Sequence, residues 1–156
     1  MIRVQQEDID VGRELAAFGQ GNLRIGGIAI FVGVVRDQAG GNAVGAMTLE
    51  HYPGMTERKL AEIEAEARRR WPLEDSLIVH RTGRLEPGER IVLVAVAAAH
   101  RHAALQACGF LIDWLKTQAP FWKREDGPEG ARWVEARVSD DAAAARWPKA
   151  RSEAAE

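Results

Sequence analysis

The stretch Ile25–Tyr52, IGGIAIFVGVVRDQAGGNAVGAMTLEHY, carries the first decision about the fold. Ile25–Arg36 is apolar and rich in β-branched residues, and its length fits a buried strand. Asp37–Asn42 (DQAGGN) reads as a loop by its turn chemistry. Ala43–Tyr52 reads as a second strand. The expectation is a hairpin between the two, and so an antiparallel sheet.

The rest of the chain alternates helical and strand patterns around this core. Upstream, Ile2–Gln5 alternates like a short strand, and Asp10–Phe18 suits a short helix with Val11, Leu15 and Phe18 on one side. Downstream, Pro53-Gly54 breaks the chain, and Thr56–Arg70 then places Leu60, Ile63 and Ala67, followed by Trp71, at helical spacing until Pro72. Ser76–Arg81 and Arg90–Ala99 read as strands joined through Gly83, Pro87 and Gly88. Ala103–Gln118 predicts a second long helix with Leu105, Cys108, Ile112 and Leu115 as its stripe, ended by Pro120. Arg132–Val138 reads as a last strand, and Ser139 as the cap of an Ala-rich helix reaching Arg146. There is no repeat. The expected organisation is one domain over residues 1–147 and a polar tail over 148–156, of class α+β with a largely antiparallel sheet and two long helices.

Composition narrows the function classes. A formal net charge of -2 is no nucleic-acid footprint, so any anion site must be a local cluster. The single cysteine, Cys108, can form neither an internal disulfide nor a cysteine zinc site. Met1–Asp8 has no apolar run of a targeting peptide, and no stretch approaches the roughly 20 apolar residues of a spanning helix, so a cytoplasmic location is expected.

Several residues are candidates for chemistry, each with a plainer competitor. In Leu115–Glu125, LKTQAPFWKRE, three cations (Lys116, Lys123, Arg124) surround Phe121 and Trp122, with no acid before Glu125. Cations and rings together suit a flat anionic ligand; the competing reading is a solvated helix end whose lysines suit the helix dipole. Ala99-His100-Arg101 sits where a strand meets a helix N-terminus, a place for phosphate or simply a surface pair. Arg36 is an anion clamp or a solvated strand end. Cys108 lies on an apolar stripe and reads as a small core residue, not a nucleophile. His51 and His80 fall in strands without metal-ligand spacing. Spacing alone leaves an α+β domain with a candidate basic pocket.

The ordered words go further. LEHYPGMTE (Leu49–Glu57), RWPL (Arg70–Leu73), HRTGRLEPGE (His80–Glu89), AHR (Ala99–Arg101), LKTQAPFWKRE (Leu115–Glu125) and RWVEAR (Arg132–Arg137) resemble the molybdopterin synthase catalytic (large) subunit family, in family order and across most of residues 25–147. The resemblance implies an α/β-hammerhead-type domain and a homodimer carrying a small ubiquitin-like subunit at each end, a heterotetramer in all. It implies sulfur transfer from that partner's C-terminal Gly-Gly thiocarboxylate to cyclic pyranopterin monophosphate, giving molybdopterin. No metal or cofactor is implied for the step. The family's catalytic lysines fall on Lys116 and Lys123. Its substrate pocket falls on Phe31, Val34, Val35, Arg36, His100, Arg101, Lys116, Lys123, Arg124, Glu125 and Arg137. Asp37–Asn42 departs from members richer in Asn and His there.

Two further expectations follow. A non-catalytic module binding a pterin or nucleotide phosphate is the rival function; it needs the anion clamp but not both lysines. Residues 101 and 116 are fifteen apart on one predicted helix, roughly 22 Å along its axis. One small ligand touching both requires either a helix bent or interrupted near Gly109 or a site shared by two copies of the chain.

Overall fold

The computed structural model describes residues 1–134 and 138–148. In chain order the elements are β1 (Ile2–Gln5), α1 (Val11–Ala17), β2 (Gly27–Val34), β3 (Gln38–Ala39), β4 (Asn42–Ala43), β5 (Ala46–His51), α2 (Met55–Arg70), β6 (Leu73–Arg81), β7 (Gly83–Leu85), β8 (Arg90–Ala98), α3 (Arg101–Gln118), β9 (Phe121–Gly127), β10 (Gly130–Val134) and α4 (Val138–Ala145). They build two four-stranded sheets, β1-β6-β8-β2 and β10-β9-β5-β7, and a small β3-β4 ribbon. All pairings are antiparallel except β1 with β6. The class is the expected α+β.

The first sheet is covered on both faces, which explains why β8 and Leu77–Val79 of β6 are apolar without alternation. On one face α2 and α3 press Leu60, Ile63, Ala104, Phe110 and Leu111 onto Ile78, Val94 and Val96. On the other, α1 sets Val11, Leu15 and Phe18 against Leu77, Val79 and Leu93. Asp10 caps α1 by accepting a hydrogen bond from the Arg13 amide at 3.0 Å. On α3, Cys108, Ile112 and Leu115 are buried as the stripe predicts, but Leu105 is exposed and belongs to the opposite face. α4 packs back on α3. Arg146 and Trp147 both reach Asp113, at 2.7 Å each, and pass over Gly109, whose missing side chain leaves them room.

The expected hairpin does not form. β2 pairs with β8, whereas β5 pairs with β7 and β9. The turn chemistry of DQAGGN is real but acts on a smaller scale. Gly40 and Gly41 take φ of +59° and +83° and close the two-residue strands β3 and β4 into a ribbon of their own. The Val44 amide then bonds Asp37 O, and the Gly45 amide bonds Asp126 O, which hands the chain over to the second sheet.

Other boundaries also moved. Phe121–Gly127, whose first residues fall in the cationic segment Leu115–Glu125, is a strand, as is Gly130–Val134; of the strand expected over Arg132–Val138, residues 135–137 lie outside the described residues. Val138 opens α4, so Ser139 is its second residue and not its cap. Of the polar tail expected over 148–156, residues 149–156 lie outside the described residues. Among the described residues no helix is long and apolar enough to cross a membrane.

Candidate active site

A cavity of about 460 Å³ opens where the two sheets meet. Three elements bring the chemistry to it. The end of β2 supplies Phe31, Val34, Val35 and Arg36; the last turn of α3 supplies Lys116; and β9 supplies Phe121, Lys123 and Glu125. Met47, Leu49, Val92, Ile112 and Leu115 furnish apolar wall.

Local structure explains the placement. The β2–β8 register slips between Gly33 and Val34, a bulge that shifts the pairing by one residue where β2 ends. The next residue is then fixed from two sides. The Val35 amide donates to Glu89 O at 2.9 Å, and Val35 O accepts from the Gly88 amide at 2.8 Å. Val35 is buried among Met47, Leu49 and Leu85, so Arg36 projects from an anchored base. On β9 the alternation of a strand sends Phe121, Lys123 and Glu125 inward, and Trp122, Arg124 and Asp126 to the other face. The sequence of this strand lacks an apolar side because its inward side faces a polar cavity.

The site is cationic around one buried carboxylate. Lys123 Nζ lies 2.9 Å from Glu125 Oε1, and Arg132 reaches Glu125 Oε2 at 3.5 Å. Burial pushes the Glu125 carboxyl up, but the hydrogen bonds and charges of Lys123 and Arg132 outweigh it and hold it below the usual range. Arg36 and Lys116 are exposed at the rim. Such an array can hold an anion, neutralise a developing oxyanion and exchange protons through a lysine.

His80 also lines the cavity, although its position in a strand without metal-ligand spacing gave it no role in the sequence. It is 5% exposed and stacks flat on Phe121, with ring centroids 3.8 Å apart and planes inclined by 15°. Its Nδ1 donates to Arg81 O at 2.8 Å. Burial is the main cause that pushes the imidazole down to about 4, against the opposing bond to Arg81, so the ring is neutral at pH 7.

Seven of the expected pocket residues thus meet: Phe31, Val34, Val35, Arg36, Lys116, Lys123 and Glu125. Arg124 does not join them; it approaches Asp126 at 3.6 Å and lies over the Trp133 ring on the outer face. His100 and Arg101 stand at the other end of α3, which runs unbroken past Gly109 and removes the interrupted-helix alternative. Arg137 lies outside the described residues. Cys108 is buried, and burial pushes its thiol up to about 11, as a core residue and not a nucleophile. Among the described residues no three His, Cys, Asp or Glu side chains gather as a metal-binding group.

Comparison with known proteins agrees with this picture. Residues 4–118 match the model of the family described as MoaE protein. The molybdopterin synthase catalytic subunit of Pseudomonas aeruginosa is 60% identical over 146 residues, covering 94% of this chain and 97% of that protein. The structure of the molybdopterin biosynthesis MoaE protein from Burkholderia ambifaria superposes with a TM-score of 0.81 at 56% identity, over 94% of this chain and 97% of that one. The molybdopterin synthase structure from Staphylococcus aureus superposes with a TM-score of 0.78 at 32% identity, over 85% and 95%. On its sequence and its fold, the chain belongs to the MoaE family of molybdopterin synthase catalytic subunits.

Proposed function

We propose that this chain is the sulfurtransferase subunit of a molybdopterin synthase, acting in the cytoplasm. It takes sulfur from the C-terminal Gly-Gly thiocarboxylate of a small ubiquitin-like carrier and places it on cyclic pyranopterin monophosphate. The observation that carries this reading is a cavity holding two lysines from different elements, Lys116 of α3 and Lys123 of β9, with Arg36 at its rim. A binding module for a pterin or nucleotide phosphate needs the clamp alone; the second lysine beside a buried carboxylate favours the enzyme.

The chemistry divides among these residues. The carrier's thiocarboxylate sulfur bonds to a carbon of the precursor as the C–O bond at that carbon breaks, the oxygen leaving with the phosphate at one carbon and as water at the other, and the carrier stays attached through an acyl–sulfur link. Water then cleaves that link, so the carrier departs as a carboxylate and the sulfur stays on the pterin. A second carrier repeats the cycle to complete the dithiolene. Lys116 holds the anionic tail end and the oxyanion formed at its carbonyl. Lys123, fixed by Glu125, supplies a second positive charge at the reacting atoms. No thiol of this chain is required, in keeping with the buried Cys108.

The phosphate is the province of His100 and Arg101, and we infer that they come from a second copy of the chain. β2 is the outer strand of its sheet and exposes Ile28, Ile30, Phe31 and Val34. Arg101 packs beside its first residue, Gly27, and the cavity opens at its last. The strand spans about 24 Å, nearly the distance from Arg101 to Lys116 along α3. Two such edges apposed antiparallel about a two-fold axis would bring Arg101 of each copy to the cavity of the other. The direct test is incubation with a thiocarboxylated carrier and the cyclic precursor. Dithiolene product confirms the function; precursor binding without product leaves the binding module.

A further inference from the structure

We propose that His80 is a positioning residue for the carrier's tail, accepting a hydrogen bond at Nε2 from a peptide N–H of the Gly-Gly end inside the cavity. This rests on the reading above that such a tail enters there. The geometry fixes the role of each ring nitrogen. Arg81 O can only accept, so Nδ1 carries the hydrogen of that bond and Nε2 is left with a bare lone pair. Among the described residues no hydrogen bond reaches Nε2, although the ring is more than nine-tenths buried and lines the cavity. The stack on Phe121 and the bond to Arg81 together prevent the ring from turning away.

The surroundings say which ligand group this lone pair suits. Leu49, Val92 and Leu115 make the neighbouring wall apolar, so a peptide entering it takes its N–H groups out of water. An N–H buried without an acceptor is strongly disfavoured. Glu125, the buried carboxylate, is already engaged by Lys123 and Arg132, whereas His80 is open. A phosphate offers no hydrogen to a neutral acceptor and is served by Arg36 and the lysines instead. Glycine suits the contact, because the absence of a side chain lets its backbone approach the ring edge.

The test compares carriers with and without the two terminal glycines, binding to wild-type protein and to His80→Phe, which preserves the ring stack but not the lone pair. In the wild type, removing the tail should weaken binding markedly. In His80→Phe that tail-dependent gain should be about tenfold smaller, the size of one buried hydrogen bond, while affinity for the cyclic precursor stays within about twofold. An equal tail-dependent gain in both proteins overturns the role of His80 alone. So does a variant that loses only precursor affinity, since the pterin also carries N–H groups. No loss on tail removal in the wild type overturns tail entry itself, and this role with it. If the variant fails to fold, ¹⁵N spectra of wild-type histidines decide: saturating carrier should shift Nε2 of His80 toward a hydrogen-bonded value, and an unmoved Nε2 refutes the proposal.

Discussion

Lys123 and Glu125 face the cavity from the same side of β9, their charged atoms 2.9 Å apart, with the carboxylate buried and the ammonium half-buried. The two cavity lysines therefore differ. Lys123 is a charge tethered from below, whereas Lys116 rides on the exposed last turn of α3. Lys116→Ala should leave the melting temperature nearly unchanged and Lys123→Ala should lower it, since it strips a partner from the buried Glu125, and either should lower product formation about a hundredfold or more. Glu125→Gln should also reduce turnover, by loosening Lys123, without abolishing carrier binding. Near wild-type rates in both lysine variants would remove them from the chemistry.

Cys108 makes a contrasting case. Cys108→Ala should retain full sulfur transfer and cost at most about 1–2 kcal/mol of stability in denaturant titration, the low end for a small buried side chain. The native thiol, pushed up to about 11, should resist alkylation at pH 7.5 until the protein unfolds. An inactive but stable alanine variant would restore the thiol as a participant.

His80 predicts a loss of stability in acid. Its folded-state value of about 4 lies below the 6.5 of an exposed imidazole, so the unfolded chain binds more protons between those values. Stability from this group is complete above about pH 6.5 and falls as pH drops toward about 4, by a total on the order of 3 kcal/mol. Urea midpoints measured from pH 7 to pH 4 should show a steeper decline for wild type than for His80→Phe. Parallel curves would mean that His80 is not held neutral by the fold.

A shared site makes a prediction for mixtures. Lys116→Ala and Arg101→Ala proteins, each inactive alone, should form heterodimers in which one pocket is intact, with up to about half the wild-type activity. Verified heterodimers without recovery would place both groups in one chain's site or remove Arg101 from it.

Much of this site was legible, and the gaps have physical causes. α2 and the core of α3 followed from apolar spacing because each presents one face to the sheet. β9 did not, because strand recognition relies on an apolar side, and its inner side carries Lys123 and Glu125. The β2–β5 hairpin was misread because a short Gly-Gly turn signals a reversal but not how many residues reverse with it. His80, read only as a strand residue without metal-ligand spacing, follows the apolar run Leu77-Ile78-Val79 and is itself buried, so nothing local marks it as lining a cavity. Its stack on Phe121 joins residues forty-one positions apart, which no local pattern contains.

The two backbone bonds that hold Val35 have a consequence for how sequences of this kind diverge. They end the influence of the neighbouring ribbon one residue before Arg36, because Val35 is secured by Gly88 and Glu89 and not by anything between Asp37 and Val44. Substitutions or insertions at Gly40-Gly41 can lengthen or reshape the ribbon while the guanidinium keeps its origin. Drift in that loop is thus uncoupled from the charged machinery, and a library randomised there can alter which ligands are admitted without dismantling what acts on them.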